Sequence, residues 1–250
     1  MTSPPPSAAG TVDPAERARF AALASEWWNP RGKFAALHRI GPARLTFLRD
    51  ALIGHFGGKP GLRPLEGLSL IDIGCGGGLI AEPLARLGAN VTGLDPAREN
   101  VEVARRHAAE QGLAIDYRTG AVEDLVAPGL GWDGVICLEV VEHVPDVGAF
   151  LATSARLVRP GGLLLLSTIN RTLKAYLLAI IGAEYVLGWL PVGTHRWDRF
   201  VTPVELARHL TEAGLGEPTF QGLIYNPLRD EWSLGSDTDV NYLAAAAKPG

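Results

Sequence analysis

Leu68-Ser69-Leu70-Ile71-Asp72-Ile73-Gly74-Cys75-Gly76-Gly77-Gly78-Leu79-Ile80-Ala81 is the stretch that decides the fold. A short apolar run closes on Asp72 and Ile73. Gly74, Gly76, Gly77 and Gly78 crowd the turn that follows, and Leu79 to Leu87 reads as a helix. Strand, glycine turn and helix N-terminus together make a nucleotide cradle, because the helix end presents unpaired amides to a ligand. Glycine lets the backbone bend sharply and lets a ligand approach closely. Asp72 is placed to pin the loop's amides or to accept from the ligand. The dinucleotide spacing G-x-G-x-x-G is not met, since Leu79 stands where the third glycine belongs. The spacing that is met runs acidic-x-G-x-G-x-G through Asp72, Gly74, Gly76 and Gly78.

Downstream, Asn90 to Asp95 reads as a second strand ending in an acid seventeen residues after Gly78. An acid there is where a βαβ nucleotide fold accepts ribose hydroxyls, and one carboxylate has room for both. Pro96 to Gly112 reads as a helix and Ile115 to Arg118 as a third strand. The loop after that strand puts Val122 beside the base of a nucleotide. Trp132 to Leu138 is the fourth strand, and it runs into Glu139-Val140-Val141-Glu142-His143. Ligands of an open parallel sheet sit at the carboxyl ends of its strands, so Leu138 to His143 face the reaction zone. Glu139, Glu142 and His143 stand at i, i+3 and i+4, and one helical turn would gather all three. Two acids and an imidazole can bind a divalent metal. Alternatively, His143 acts as a general base with an acid orienting it. A third reading has His143 capping the next helix and the acids solvated.

Phe150 to Val158 closes a helix, and Leu163 to Thr168 is a buried fifth strand. Gly222 to Tyr225 and Tyr242 to Ala247 read as sixth and seventh strands, joined by a long loop. Late strands in tandem, with no helix between them, make an antiparallel edge hairpin. The expected fold is α/β: a seven-stranded, mostly parallel sheet with helices on both faces.

Upstream of the cradle, residues 1–12 read as a disordered tail rich in Pro, Ser and Ala. Asp13 caps a helix that starts with Pro14. Two readings of that helix stay open: a cover over the active site, or a helix docked on the outside. Arg39 and Arg44 lie just before the cradle, where an arginine can take a cofactor carboxylate with two hydrogen bonds; spacing alone favours solvated arginines. The organisation is one domain over residues 13–250, with 13–56 as an N-terminal helical cap and 172–200 as an insertion.

Ala175 to Leu190 of that insertion, A-Y-L-L-A-I-I-G-A-E-Y-V-L-G-W-L, is apolar nearly all round and broken by Glu184. It falls short of the ~20 apolar residues that span a bilayer. Arg171, Lys174, Arg196 and Arg199 flank it with Trp189 and Trp197, the pattern of an anchor in an anionic lipid interface. A buried lid helix or a dimer seam would also bury it.

The 250 residues carry a net charge of -4 and no basic run, which argues against nucleic acid as a partner. Cys75 and Cys137 read as two buried free thiols of a reducing compartment. No secretory signal opens the sequence.

Asp72-x-Gly74-x-Gly76-x-Gly78, Leu94-Asp95 and Arg159-Pro160-Gly161-Gly162 resemble the class I S-adenosylmethionine-dependent methyltransferases. Within them the chain resembles the ubiquinone biosynthesis O-methyltransferase family through Trp27-Trp28, Leu37-His38-Arg39-Ile40, Glu142-His143-Val144-Pro145-Asp146, Ser167 to Arg171, Gly182-Ala183-Glu184-Tyr185, Gly193-Thr194-His195, Tyr225-Asn226-Pro227 and Asp239 to Tyr242. Only the first dozen residues lie outside the likeness. The resemblance implies methyl transfer from S-adenosylmethionine to a ring hydroxyl of a polyprenylated catechol or hydroquinone. It implies cofactor contacts at Arg44, Gly74, Gly76, Asp95 and Leu138, where some members carry Met in place of Leu138. It further implies a divalent cation such as magnesium at Glu139, Glu142 and His143 in some relatives. A peripheral place on the inner membrane, reached through 172–192 from the cytoplasm, is implied too, as is a complex with other enzymes of the pathway. Three rivals remain: a methyltransferase for a soluble phenol, a catalytically silent cofactor-binding partner, and an NAD-linked oxidoreductase, which Leu79 disfavours.

Overall fold

The structure is a computed structural model that describes residues 10–127, 129–177 and 197–250. The apolar run expected to contact lipid therefore lies largely outside the described residues, which include only its opening at 172–177.

The elements run α1 (Pro14–Ala22), α2 (Ala35–Phe56), β1 (Ser69–Ile73), α3 (Ala81–Arg86), β2 (Asn90–Asp95), α4 (Arg98–Glu110), β3 (Asp116–Thr119), β4 (Trp132–Leu138), α5 (Val147–Leu157), β5 (Val158–Ile169), the single turn α6 (Leu173–Ala175), α7 (Pro203–Glu212), β6 (Thr219–Asn226), β7 (Glu231–Gly235) and β8 (Asn241–Ala247). The sheet order is β3-β2-β1-β4-β5-β8-β6-β7. β1 to β5 pair in parallel, and β8, β6 and β7 pair antiparallel at the edge. The order reverses between β1 and β4, and a crevice opens at the carboxyl ends of strands on either side of such a switch point.

The sheet has eight strands where seven were expected. The extra one, β7, falls inside the expected loop between Asn226 and Tyr242. It was missed because its turn uses Asp230 at a left-handed φ of 50°, with no Asn-Gly or Asp-Gly to announce a hairpin. α2 carries Pro42 within it.

Apolar side chains pack on both faces. Leu163 and Leu165 of β5 join a cluster with Phe47, Leu48 and Leu52 of α2, Leu84 of α3 and Val101 of α4. Leu164 and Leu166 join a second cluster with Phe150 and Leu151 of α5 and Leu206 and Leu210 of α7. Burial on both faces explains why β5 reads as an unbroken leucine run. Thr11 is buried and its amide donates to Glu123 Oε1 at 2.8 Å, so packing begins upstream of Asp13.

Candidate active site

The glycine turn is tied to β2 before any ligand is considered. The amides of Gly74 and Cys75 both donate to the Leu94 carbonyl, at 2.8 and 3.0 Å. Gly74, Gly76 and Gly78 have φ of 74°, 51° and 91°, where a Cβ is strained. A Cβ on Gly78 would also strike the buried Tyr117 hydroxyl. Gly78→Ala is therefore expected to lower the thermal midpoint, through strain of about 1–3 kcal/mol plus the clash, and to weaken cofactor binding. Differential scanning fluorimetry with and without S-adenosylmethionine measures both.

Asp95 holds the cradle together. Its Oδ2 accepts from the Gly76 amide at 3.0 Å, and its Oδ1 accepts from the Ala97 amide at 2.9 Å and from Asn100 Nδ2 at 3.1 Å. Three bonds leave this carboxylate about one of its roughly four acceptor positions for a ligand. The expectation that it takes both ribose hydroxyls is thereby narrowed: in this geometry most of its capacity goes to shaping the loop. Burial raises its pKa, and the three donors pull the other way.

Asp72 is buried with Oδ2 unpartnered. Burial first, and the nearby Asp95 charge second, push its carboxyl up to about 7. The folded chain thus keeps a proton that an unfolded chain releases near pH ~4. This term favours the fold fully below that pH and is lost as pH rises through about 7. The unfolding midpoint of ligand-free protein is expected to fall across that window, and Asp72→Asn is expected to flatten it.

Arg44, a solvated arginine on spacing alone, is buried at the cavity wall. Its Nη2 lies 2.8 Å from Glu139 Oε1, and its Nε has no partner. That orphan donor suits a carboxylate arriving from the cradle. The unpartnered Asp72 oxygen suits a cationic group, and the glycine turn admits a close backbone approach. The residues present therefore fit S-adenosylmethionine.

Leu138 lines the cavity where β4 ends. Glu139 follows at a left-handed φ of 54°. Its Oε1 accepts from Ser167 Oγ at 2.6 Å, and its amide donates to the Ser167 carbonyl at 3.0 Å. Glu142 is buried and accepts from Thr168 Oγ1 at 3.0 Å. Burial, then the Glu139 charge, hold it well above the usual carboxylate range. His143 turns elsewhere: its Nδ1 lies 3.0 Å from Glu16 Oε2 of α1, and Phe20 meets its ring edge-to-face at 5.4 Å. Contact with His143 holds Glu16 below the usual carboxylate range. One helical turn was expected to gather Glu139, Glu142 and His143. Instead Val141–His143 is a 3-10 turn that follows a left-handed residue, and this sends the imidazole toward α1. Among the described residues no three His, Cys, Asp or Glu side chains converge on a metal position.

α1 and the segment after it cover this site. Trp27 lies on Gly76 and Gly77, donates from Nε1 to Asn100 Oδ1 at 2.9 Å, and stacks on Phe34 at 3.8 Å. Trp28 Nε1 donates to the Gly77 carbonyl at 2.9 Å. The result is a continuous cavity of about 1250 Å3, bounded by Thr11, Phe20 and Trp27 above and by Asp95, Val122 and Leu138 below. Sequence reasoning missed Glu16 as a partner of His143. The Trp27-Trp28 pair was its nearest signal.

A family model described as a methyltransferase domain matches residues 44–216. Among solved structures, magnesium protoporphyrin IX methyltransferase from Synechocystis PCC 6803 with bound SAH aligns with a TM-score of 0.66 at 21% identity, over 94% of this chain and 98% of that one. Fold, glycine cradle and the Asp95 clamp define a class I, S-adenosylmethionine-dependent methyltransferase. The relatives narrow this further. The ubiquinone biosynthesis O-methyltransferase of Azorhizobium caulinodans is 54% identical over 237 residues, 94% of each chain. That of Parvibaculum lavamentivorans is 51% identical over 243 residues, 97% of this chain and 96% of its own. The chain belongs to the ubiquinone biosynthesis O-methyltransferase family.

Proposed function

We propose that this enzyme transfers a methyl group from S-adenosylmethionine to a ring hydroxyl of a polyprenylated catechol or hydroquinone in ubiquinone biosynthesis, with His143 taking the hydroxyl proton. The observation that carries the base assignment is the Glu16–His143 pair on the wall of the cavity that also holds the cradle. The cofactor supplies an activated sulfonium methyl. Arg44, Asp72, the glycine turn and Asp95 would hold it, with Val122 and Leu138 available to its base. Holding the acceptor oxygen in line with the methyl supplies ~7–11 kcal/mol of the barrier. The remaining difficulty is a phenol pKa near ~10. Nδ1 of His143 lies against Glu16, which leaves Nε2 as the nitrogen to take the proton from a neutral ring. A positioned base of this kind contributes roughly a hundredfold or more.

A divalent cation at Glu139, Glu142 and His143 is the second reading, carried over from the family. The donor set does not fit it as placed. The Arg44 guanidinium already sits 2.8 Å from Glu139, Glu142 is buried against Thr168, and His143 faces Glu16. No step is routed through a metal here. Methyl transfer that survives EDTA supports the base. Loss with EDTA and recovery with magnesium would support the metal.

Residues 13–250 are proposed as one methyltransferase domain, with 13–56 as its cap and 172–200 as its insertion. Contact with the inner membrane from the cytoplasmic side, through 172–192, belongs to the same reading. It is supported by Leu173, Tyr176 and Leu177, which stand exposed beside Lys174 at the start of that segment. No helix among the described residues is long and apolar enough to cross a membrane. Co-sedimentation with anionic vesicles is expected for the full chain and is expected to be lost on deleting residues 176–189. Unchanged vesicle binding, together with unchanged turnover of prenylated acceptor, would favour a soluble phenol.

A further inference from the structure

The cavity is larger than a cofactor and a ring require. Its volume of about 1250 Å3 exceeds the ~300–1,000 Å3 usual for a ligand pocket. Its lining runs past the cradle onto residues that the chemistry leaves unused, Leu37 and Ile40 of α2 and Leu223 and Trp232 of the β6–β7 hairpin, and this part is the arm. Strand register joins that arm to the reacting end. Leu138 pairs with Ser167 of β5, Ile169 of β5 pairs with Asn241 of β8, and Asn241 pairs with Leu223 of β6. Crossing from β4 to β6 takes three strand steps, about 14 Å at ~4.8 Å each. Beyond Leu223, Tyr225 and Trp232 pair across the hairpin, their rings tilted at 5.2 Å. β7 packs on α2, which closes the other wall.

Inside, the arm is apolar, with Leu37, Ile40, Leu223 and Trp232 along it. Its rim is polar. Tyr225 Oη donates to Asp230 Oδ1 at 2.7 Å, and Arg39 Nη1 reaches the same oxygen at 3.1 Å. Asp230 is the left-handed residue of the hairpin turn, so one carboxylate ties the turn both to its own strand and to α2. Apolar side chains thus line this part of the cavity, with the pinned polar group of Tyr225, Asp230 and Arg39 beside them.

We propose that the arm between α2 and the β6–β7 hairpin binds the hydrocarbon tail of the acceptor, and that Ile40 and Trp232 set the preference for a tailed over a tail-less ring. The proposal rests on the function given above. An arm of about three strand widths takes a flexible chain, whereas an aromatic ring fills only its inner end. A lipid acyl chain has similar chemistry, and the test separates the two.

The experiment compares kcat/KM for a catechol bearing two prenyl units with that for the tail-less catechol. Trp232→Ala and Ile40→Ala are each expected to lower that ratio at least tenfold, chiefly through KM for the tailed acceptor. S-adenosylmethionine affinity by calorimetry establishes that the variants are folded. A second arm uses wild-type protein and a catechol with a diazirine at its tail end. Irradiation is expected to label residues 35–45 or 222–235, and added phospholipid is expected not to compete. An active enzyme with an unmoved ratio in both variants overturns the proposal, as does label confined to other segments or displaced by phospholipid. A chain inactive on every catechol sinks the function above, and the labelling arm then still decides the tail site.

Discussion

His143→Ala is expected to lower kcat for methyl transfer by roughly a hundredfold or more, while S-adenosylmethionine still binds. The imidazole is nearly buried, is paired through Nδ1 with Glu16 and has Phe20 against its edge. Removing it takes away the acceptor for the phenol proton and leaves the cradle, which lies on other elements, in place. A loss in kcat with little change in cofactor affinity marks an interaction made in the transition state. Glu16→Gln is expected to fall in the same direction by less, because it weakens the pairing that fixes the tautomer and keeps the base. Full turnover by His143→Ala would sink the base assignment. Stopped turnover with intact cofactor binding also separates an enzyme from a silent partner that only binds S-adenosylmethionine.

Asp95→Ala is expected to weaken cofactor binding at least tenfold and to loosen the cradle. The carboxylate makes three bonds, to the Gly76 amide, the Ala97 amide and Asn100, and each joins a different part of the cradle. Hydrogen bonds to a charged group contribute about 1.5–3 kcal/mol each. These three are internal to the protein and their loss weakens the cradle itself; the bond directly open to a ligand is the one remaining acceptor position, about 10–10²-fold in affinity at ~1.4 kcal/mol per tenfold. The truncation also leaves two amides without their acceptor in a buried place, so the thermal midpoint is expected to fall. Asp95→Asn keeps one acceptor and is expected to recover part of both losses. Isothermal calorimetry with S-adenosylmethionine reads the first effect and a thermal melt reads the second. Unchanged affinity in Asp95→Ala would remove Asp95 from the cradle.

Much of the left-hand sheet was legible because its signals are local. β1 announced itself by an apolar run stopped by glycines. β2 ended on Asp95 as expected, and β4 spans Trp132–Leu138 as read. What escaped depends on contacts that sequence spacing does not encode. Glu16 meets His143 across more than a hundred residues, and only the docking of α1 brings them together. Arg44 looked solvated because its burial comes from α2 packing over the sheet. The i, i+3, i+4 spacing of Glu139, Glu142 and His143 suggested convergence, but the backbone there is a left-handed residue and a 3-10 turn, so helical geometry does not apply. β7 was hidden by a turn built on Asp230 and held by Tyr225 and Arg39.

The most direct measurement is transfer of label from methyl-labelled S-adenosylmethionine to a short-tailed prenylated catechol, with the product's methyl position assigned by NMR. The expected result is label in the lipid-extracted product as a ring methoxy group, formed by wild-type enzyme and nearly absent with His143→Ala. Cofactor binding without any labelled product, or label found on carbon rather than oxygen, would contradict the account.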